Sequence, residues 1–196
     1  MKRKYLAILV LFSLLFTGCG VKKIDIKLKE KYRMNITIKG SINNKFYNKS
    51  GDILVRSKNE ITFHNYDPFD ISSMMKPSYY KLDGEYYKDI NKEVKYDGKK
   101  EFENFKNYTE MLSKLKKVQK KDKDLIGTTT YEFIPFVIDN KEFNHILRAS
   151  DIKYKSKNDA TGYVYFTPED ELYKIIYIYE EEEQELRIEL YFSSVV

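Results

Sequence analysis

From Ile24 to Lys39 the chain alternates with a period of two. Ile24, Ile26, Leu28, Tyr32, Met34, Ile36 and Ile38 occupy even positions, and Asp25, Lys27, Lys29, Lys31, Arg33, Asn35, Thr37 and Lys39 the odd ones. Successive side chains of a strand point to opposite faces, so this pattern predicts one long strand with an apolar and a wet side. A sheet with one buried face must follow. Asn43-Asn44 supplies a turn, and apolar runs at Ile53 to Arg56 and Ile61 to Tyr66 read as further strands. Asp83-Gly84 stands between Ser78–Leu82 and Glu85–Ile90, a hairpin signal because glycine tolerates the positive φ of a tight turn. Asp67 to Pro77, with two prolines and Met74-Met75, reads as a loop or short helical turn.

Two segments change period. Phe102, Phe105, Tyr108, Leu112, Leu115 and Val118 recur at steps of three and four, predicting an amphipathic helix from Glu101 to Gln119 with acidic residues early and lysines late, as the helix dipole favours. After a strand at Thr129–Ile138, Asp139 and Glu142 stand at capping-box spacing ahead of a short helix from Asn140 to about Ala149. Strands return at Tyr154, Gly162–Thr167, Glu171–Glu180 and Glu185–Ser194.

Cys19 is the only cysteine, and it ends a segment with its own logic. Met1-Lys2-Arg3-Lys4 precedes the apolar run Tyr5–Phe16 and the step Thr17-Gly18-Cys19. The run is short for a membrane span, which needs roughly 20 apolar residues, and has the layout of an export signal. It resembles a bacterial lipoprotein signal with its lipobox, although Phe16 stands where leucine is commoner. That resemblance implies cleavage after residue 18 and a diacylglycerol and acyl lipid on Cys19. With Cys19 acylated no free thiol remains, so disulfides and thiol chemistry are excluded and the core alone must hold the fold. Losing Lys2, Arg3 and Lys4 takes the 35 basic residues to 32, against 30 acidic ones. This balance argues against a nucleic-acid partner. Lys22, Lys23, Lys27, Lys29, Lys31 and Arg33 crowd the start of the mature chain. They read either as a polybasic supplement to the anchor or as the wet face of the first strand.

Catalytic constellations are missing from the pattern. His64 lies in strand sequence and His145 in the short helix; no His-Glu pair has zinc-protease spacing, and Gly127 and Gly162 stand alone without a phosphate loop. Glu180 to Glu183 lack the alternating ligands of a calcium loop and read as a solvated hairpin tip. No enzyme, no metal and no cofactor beyond the covalent lipid are expected. What remains is binding. The chain carries 18 tyrosines and 12 phenylalanines but no tryptophan, and tyrosine combines large contact area with a hydroxyl that can stay wet. Tyr79, Tyr80, Tyr86, Tyr87, Tyr173, Tyr177 and Tyr179 are the candidate partner-binding residues, each also readable as core or as a cross-strand pair.

The element order is similar to that of the LolA-like and LppX-like half-barrel lipoproteins. Asp124-Leu125-Ile126-Gly127-Thr128-Thr129-Thr130-Tyr131 resembles that family's strand start after the helix, and Gly162–Ser194 its closing run. The resemblance implies an α+β fold: a strongly curved antiparallel sheet, an unclosed half-barrel of about nine to eleven strands, with helices packed on its concave side. Residues 1–18 would be the signal peptide, 19–30 a membrane-proximal linker and start of the first strand, and 31–196 a single LolA-like domain. The concave side either holds acyl chains or is filled by helices. Length, anchor and Lys/Asn/Ile/Tyr-rich composition are also similar to clostridial germination lipoproteins of Gram-positive spore formers. This implies an anchored regulator of a protein partner, an N-acetylmuramoyl-L-alanine amidase of spore cortex modification, on the outer face of the cytoplasmic or forespore-surrounding membrane. The alternative is a lipid or lipoprotein carrier with acyl chains under the sheet. Open sheet edges also admit a strand-exchanged homodimer.

Overall fold

The computed structural model describes residues 22–66, 79–88, 94–95, 108–182 and 184–195. The signal segment with Cys19, the loop expected at Asp67–Pro77 and the first turns of the helix expected from Glu101 lie outside them. Among the described residues, twelve strands form one antiparallel sheet. They are β1 (Tyr32–Ile42), β2 (Lys45–Ser57), β3 (Glu60–Tyr66), β4 (Tyr79–Leu82), β5 (Glu85–Lys88), β6 (Val94–Lys95), β7 (Lys116–Lys117), β8 (Asp122–Ile126), β9 (Thr129–Ile138), β10 (Ala160–Phe166), β11 (Leu172–Glu181) and β12 (Gln184–Ser194). A helix, α1 (Asn140–Ala149), connects β9 to β10. The order is β6-β5-β4-β3-β2-β1-β12-β11-β10-β9-β7, with β8 also on β9, and the two ends do not pair. The sheet is curved and unclosed, as expected. Its count exceeds nine to eleven because β6 and β7 are two-residue strands.

The turns follow from their residues. Asn43 and Asn44 hold φ of 51° and 57°, and Asp83 and Gly84 hold 51° and 86°. Positive φ at both central positions matches the right-handed twist of the flanking strands. The halves of the sheet meet where β1 pairs β12 from Tyr32–Ser194 to Gly40–Leu186. At that far end a Cβ on Gly40 would lie 2.1 Å from the Glu185 carbonyl oxygen, so only glycine lets the strands approach.

The inner face of the sheet is the core. Met34, Ile36 and Ile38 of β1, Ile53 and Val55 of β2, Val164 of β10 and Leu186, Ile188 and Leu190 of β12 are buried with Phe143, Ile146 and Leu147 of α1. Apolar residues at helical spacing give α1 one stripe for that face.

Four expectations are corrected. Tyr154, read as strand, lies in the irregular link between α1 and β10, where it has no ladder partner among the described residues. The alternation from Ile24 continues, with Ile24 buried and Ile26 and Leu28 half-buried, but residues 24–31 are not strand. At Tyr32 both neighbours of β1 end: β12 stops at Ser194 and β2 reaches its turn after Ser57. With no ladder partner, residues 22–29 run as a separate strap. The helix expected to reach Gln119 is helical at 108–111, tightens to a 3₁₀ turn at Leu112–Lys114 and opens at Leu115. Lys116 and Lys117 are instead recruited by β9, pairing with Val137 and Phe136. Its stripe survives, since Tyr108, Leu112 and Leu115 are buried, but Val118 is exposed. Asp139 does cap α1 by position, yet its carboxylate makes no bond to the helix. It accepts from Lys116 Nζ at 2.8 and 2.7 Å, while the Asn140 amide donates to Asp159 at 2.8 Å.

Two buried tyrosines offer a test of this interior. Tyr108 bonds Ser150 at 2.7 Å, whereas the Tyr177 hydroxyl is buried without a partner among the described residues. Tyr108→Phe is expected to lower stability by about 1 kcal/mol and Tyr177→Phe to raise it by a similar amount. Urea unfolding midpoints at unchanged slope check both directions.

Candidate functional site

The strap is built where the chain leaves the segment that carries Cys19. Among the described residues its backbone is tied at one end: the Lys117 amide donates to the Lys22 carbonyl at 2.9 Å and the Ile24 amide to the Leu115 carbonyl at 3.2 Å. Lys23 bridges Lys116, so strap, β7 and β9 lie side by side. Beyond Ile24 side chains hold it. Ile26 and Leu28 pack against the core, and Lys29 reaches Ser194 at 2.7 Å and Glu171 at 2.6 Å. The strap therefore spans from the C-terminal end of β9 to the C-terminal end of β12.

Clefts open on both sides of it. One, of about 470 Å³, has Ile24, Ile26, Leu28 and Leu112 as its apolar wall and Lys23, Asp25, Thr109 and Ser113 at its rim. The other, of about 390 Å³, is formed by Leu28, Tyr32, Leu172 and Phe192, with Lys27, Lys29, Asp170 and Glu171 around it. Leu28 is common to both. Each volume lies in the usual range of small-molecule sites, and an apolar wall beneath a rim of mixed charge suits an amphipathic ligand.

The candidate tyrosines separate by face. Tyr79 follows Phe63, its ring centroid 6.3 Å away, and with Tyr86 lies on the inner face. Tyr80 and Tyr87 stand opposite one another on the outer face; all four are half-buried. Tyr177 and Tyr179 are 0% and 1% exposed, Tyr177 meeting Phe136 edge-on and Tyr179 stacking on Phe143, so these two rings serve the core and present no surface. Tyr173 goes the other way. A bulge, where Tyr165 pairs Lys174 but Phe166 pairs Leu172, leaves Tyr173 unpaired and turned outward.

There it joins residues that single-strand reasoning missed. Its ring lies 4.4 Å from Tyr131 of β9 and 6.1 Å from Tyr191 of β12. Next to them Glu189 accepts hydrogen bonds from Tyr191, Arg187 and Lys174, the last at 3.1 Å and with both partners largely enclosed. Lys174 Nζ also sits 4.6 Å over the Tyr191 ring. Burial pushes the Glu189 carboxyl up, but the bonds from Tyr191, Arg187 and Lys174 together outweigh it and hold the group below its ordinary value. Burial and the bond to Glu189 push Tyr191 up to about 12. Phe133, Tyr163 and Tyr165 extend this aromatic face across β9 and β10. Only the cross-strand register brings these rings together.

Neither histidine joins a reactive cluster within the described residues. His64 stands opposite Asp52 on β3, and His145 Nδ1 accepts from Arg148 at 2.9 Å on α1. Among the described residues no three His, Cys, Asp or Glu side chains gather as metal ligands.

No protein-family model matches the chain, and no curated protein matches it. Among solved structures it is similar to LprF from Mycobacterium bovis, with a TM-score of 0.44 and 12% identity over 82% of this chain and 84% of that one. The Mycobacterium tuberculosis lipoprotein LppX gives 0.42 and 11% over 84% and 85%. A DUF1329 family protein from Desulfovibrio piger gives 0.25 and 8% over 94% and 88%.

The Glu189 cluster carries a pH signature. Its folded pKa lies below the unfolded carboxylate value, so the cluster contributes stability at neutral pH and loses it as pH falls through that lowered value. Glu189→Gln is expected to be less stable than the parent at neutral pH, with the gap closing in acid. Unfolding free energies from neutral to about pH 3 read the convergence.

Proposed function

We propose that this chain is a membrane-anchored, non-enzymatic lipoprotein of the cell envelope that binds acyl chains beneath its strap. The supporting observation is Leu28, the shared wall of two apolar clefts with lysines at their rims. An acyl chain laid along Ile24, Ile26, Leu28, Leu172 and Phe192 gains about 0.8 kcal/mol per buried methylene, and Lys23 at the rim would meet an anionic headgroup. The strap is short on backbone bonds past Ile24, so a ligand can lift it without breaking sheet. Lipidation at Cys19 would hold these clefts at the bilayer, on the outer face of the cytoplasmic or a forespore-surrounding membrane. Native mass spectrometry of the intact mature protein is expected to show non-covalent lipid in addition to the mass on Cys19. Leu28→Glu is expected to remove the former and leave the latter. A parent protein carrying only its covalent lipid overturns the carrier reading.

A second reading rests on a different surface. The outer aromatic face around Tyr131, Tyr173 and Tyr191 has the residue type favoured at protein interfaces. On the resemblance to germination lipoproteins, its partner is an N-acetylmuramoyl-L-alanine amidase acting in cortex modification, and the open sheet edges admit a strand-exchanged homodimer. Tyr131→Ala with Tyr191→Ala is expected to weaken capture of the amidase by about tenfold or more, with lipid content unchanged. Equal capture by parent and variant sinks this reading and leaves the first intact.

A further inference from the structure

Along α1 lies an open groove of about 980 Å³, apart from the strap clefts and the outer tyrosines. Lys141, His145 and Arg148 line it from the helix, and Asp151, Lys153 and Lys155 from the loop that follows. Most of the groove's charge is unneutralised. Lys29, Arg33, Lys116 and Lys174 each hold a carboxylate within 3.1 Å. Among the described residues Lys141, Arg148, Lys153 and Lys155 have no acidic partner. The groove's one carboxylate, Asp151, is 3.7 Å from Lys49 Nζ.

The two walls are also fixed to each other. Asn144, buried in α1, accepts from the Ser156 amide at 2.8 Å, and Asn140 donates to the Lys157 carbonyl at 2.9 Å. The Ile152 amide donates to the Leu147 carbonyl at 2.9 Å, which starts the loop back along the helix. Arg148 is oriented in turn: a guanidinium only donates, so its 2.9 Å contact makes His145 Nδ1 the acceptor. The remaining N–H groups of the fork stay available for an oxyanion.

We propose that this groove binds a phosphate-bearing anion. Four unneutralised cations on two clamped walls match a multiply charged oxyanion better than a single carboxylate, and an aligned arginine fork matches its geometry. The phosphate belongs either to a lipid headgroup or to a free anion, and the proposal is independent of what occupies the strap clefts.

The test uses the intact mature protein, with amide hydrogen exchange of residues 140–156 as its readout. One arm titrates inorganic pyrophosphate into protein in zwitterionic micelles; the other compares vesicles of phosphatidylglycerol with vesicles of phosphatidylcholine. Saturable slowing of exchange by pyrophosphate supports a free anion, and slowing by phosphatidylglycerol alone supports a headgroup. Arg148→Glu with Lys153→Glu, both exposed positions, is expected to weaken the effect about tenfold or more. Lys123→Glu, on the exposed β8, should leave it unchanged. No slowing in either arm overturns the proposal, as does an equal loss in Lys123→Glu, which would reduce it to net charge.

Discussion

The pairing of β1 with β12 is the constraint on which the other features rest. It joins residues about 150 positions apart and turns two meanders, β1 to β6 and β9 to β12, into one sheet. Its inner pairs, Met34 with Phe192, Ile36 with Leu190 and Ile38 with Ile188, lie in the middle of the core. One residue of slip would move every one of these side chains to the wet face, so the burial itself specifies the register. Gly40 fixes the far end by admitting the Glu185 carbonyl where no side chain fits. The near end, at Tyr32 and Ser194, is where the ladder stops and the strap becomes free to lie across the inside.

From that seam the candidate sites follow by short chains of bonds. Lys116 touches three elements: it bridges Lys23 of the strap, pairs Val137 of β9 and donates to Asp139 at the head of α1. Strap and helix are therefore referenced to the same point, although the clefts under one and the groove along the other are separate. The outer aromatic face depends on the seam differently. Tyr191 and Glu189 come from β12, Tyr173 and Lys174 from β11 and Tyr131 from β9, so it exists only when three strands are in register.

Local chemistry was legible in the sequence wherever it decided the structure. Asn43-Asn44 and Asp83-Gly84 need no distant partner to favour their turns, and α1 ends where its apolar stripe and flanking strands say it should. Distant partners explain the departures. The period of two through Ile26 and Leu28 reports a wet and a dry side, which a strap on a core has as much as a strand does. Lys116 looks like the last turn of a helix because the edge of β9 that claims its backbone comes some twenty residues later. The same lysine claims Asp139 from its capping role. Tyr173, Tyr177 and Tyr179 share parity and so share a face on paper. The bulge between the Tyr165 and Phe166 pairings puts Tyr173 outside while Tyr177 and Tyr179 stay in.

Charge placement separates surfaces that are internally satisfied from those left open. On the outer face Glu189 has three donors and Lys174 both a carboxylate and a ring, so this surface offers a partner aromatic area and shape more than free charge. Along the strap, lysines and their acidic neighbours stand above an apolar wall, a distribution that rewards a ligand with one polar end and one oily end. Along α1 Lys141, Arg148, Lys153 and Lys155 outnumber the groove's one carboxylate, Asp151, and the Asn144–Ser156 clamp keeps the two walls from relaxing apart. Holding like charges together costs stability through their mutual repulsion, and an oxyanion between them would offset that cost. The three surfaces thus differ in the kind of molecule each can stabilise, and a ligand suited to one has little to gain at the others.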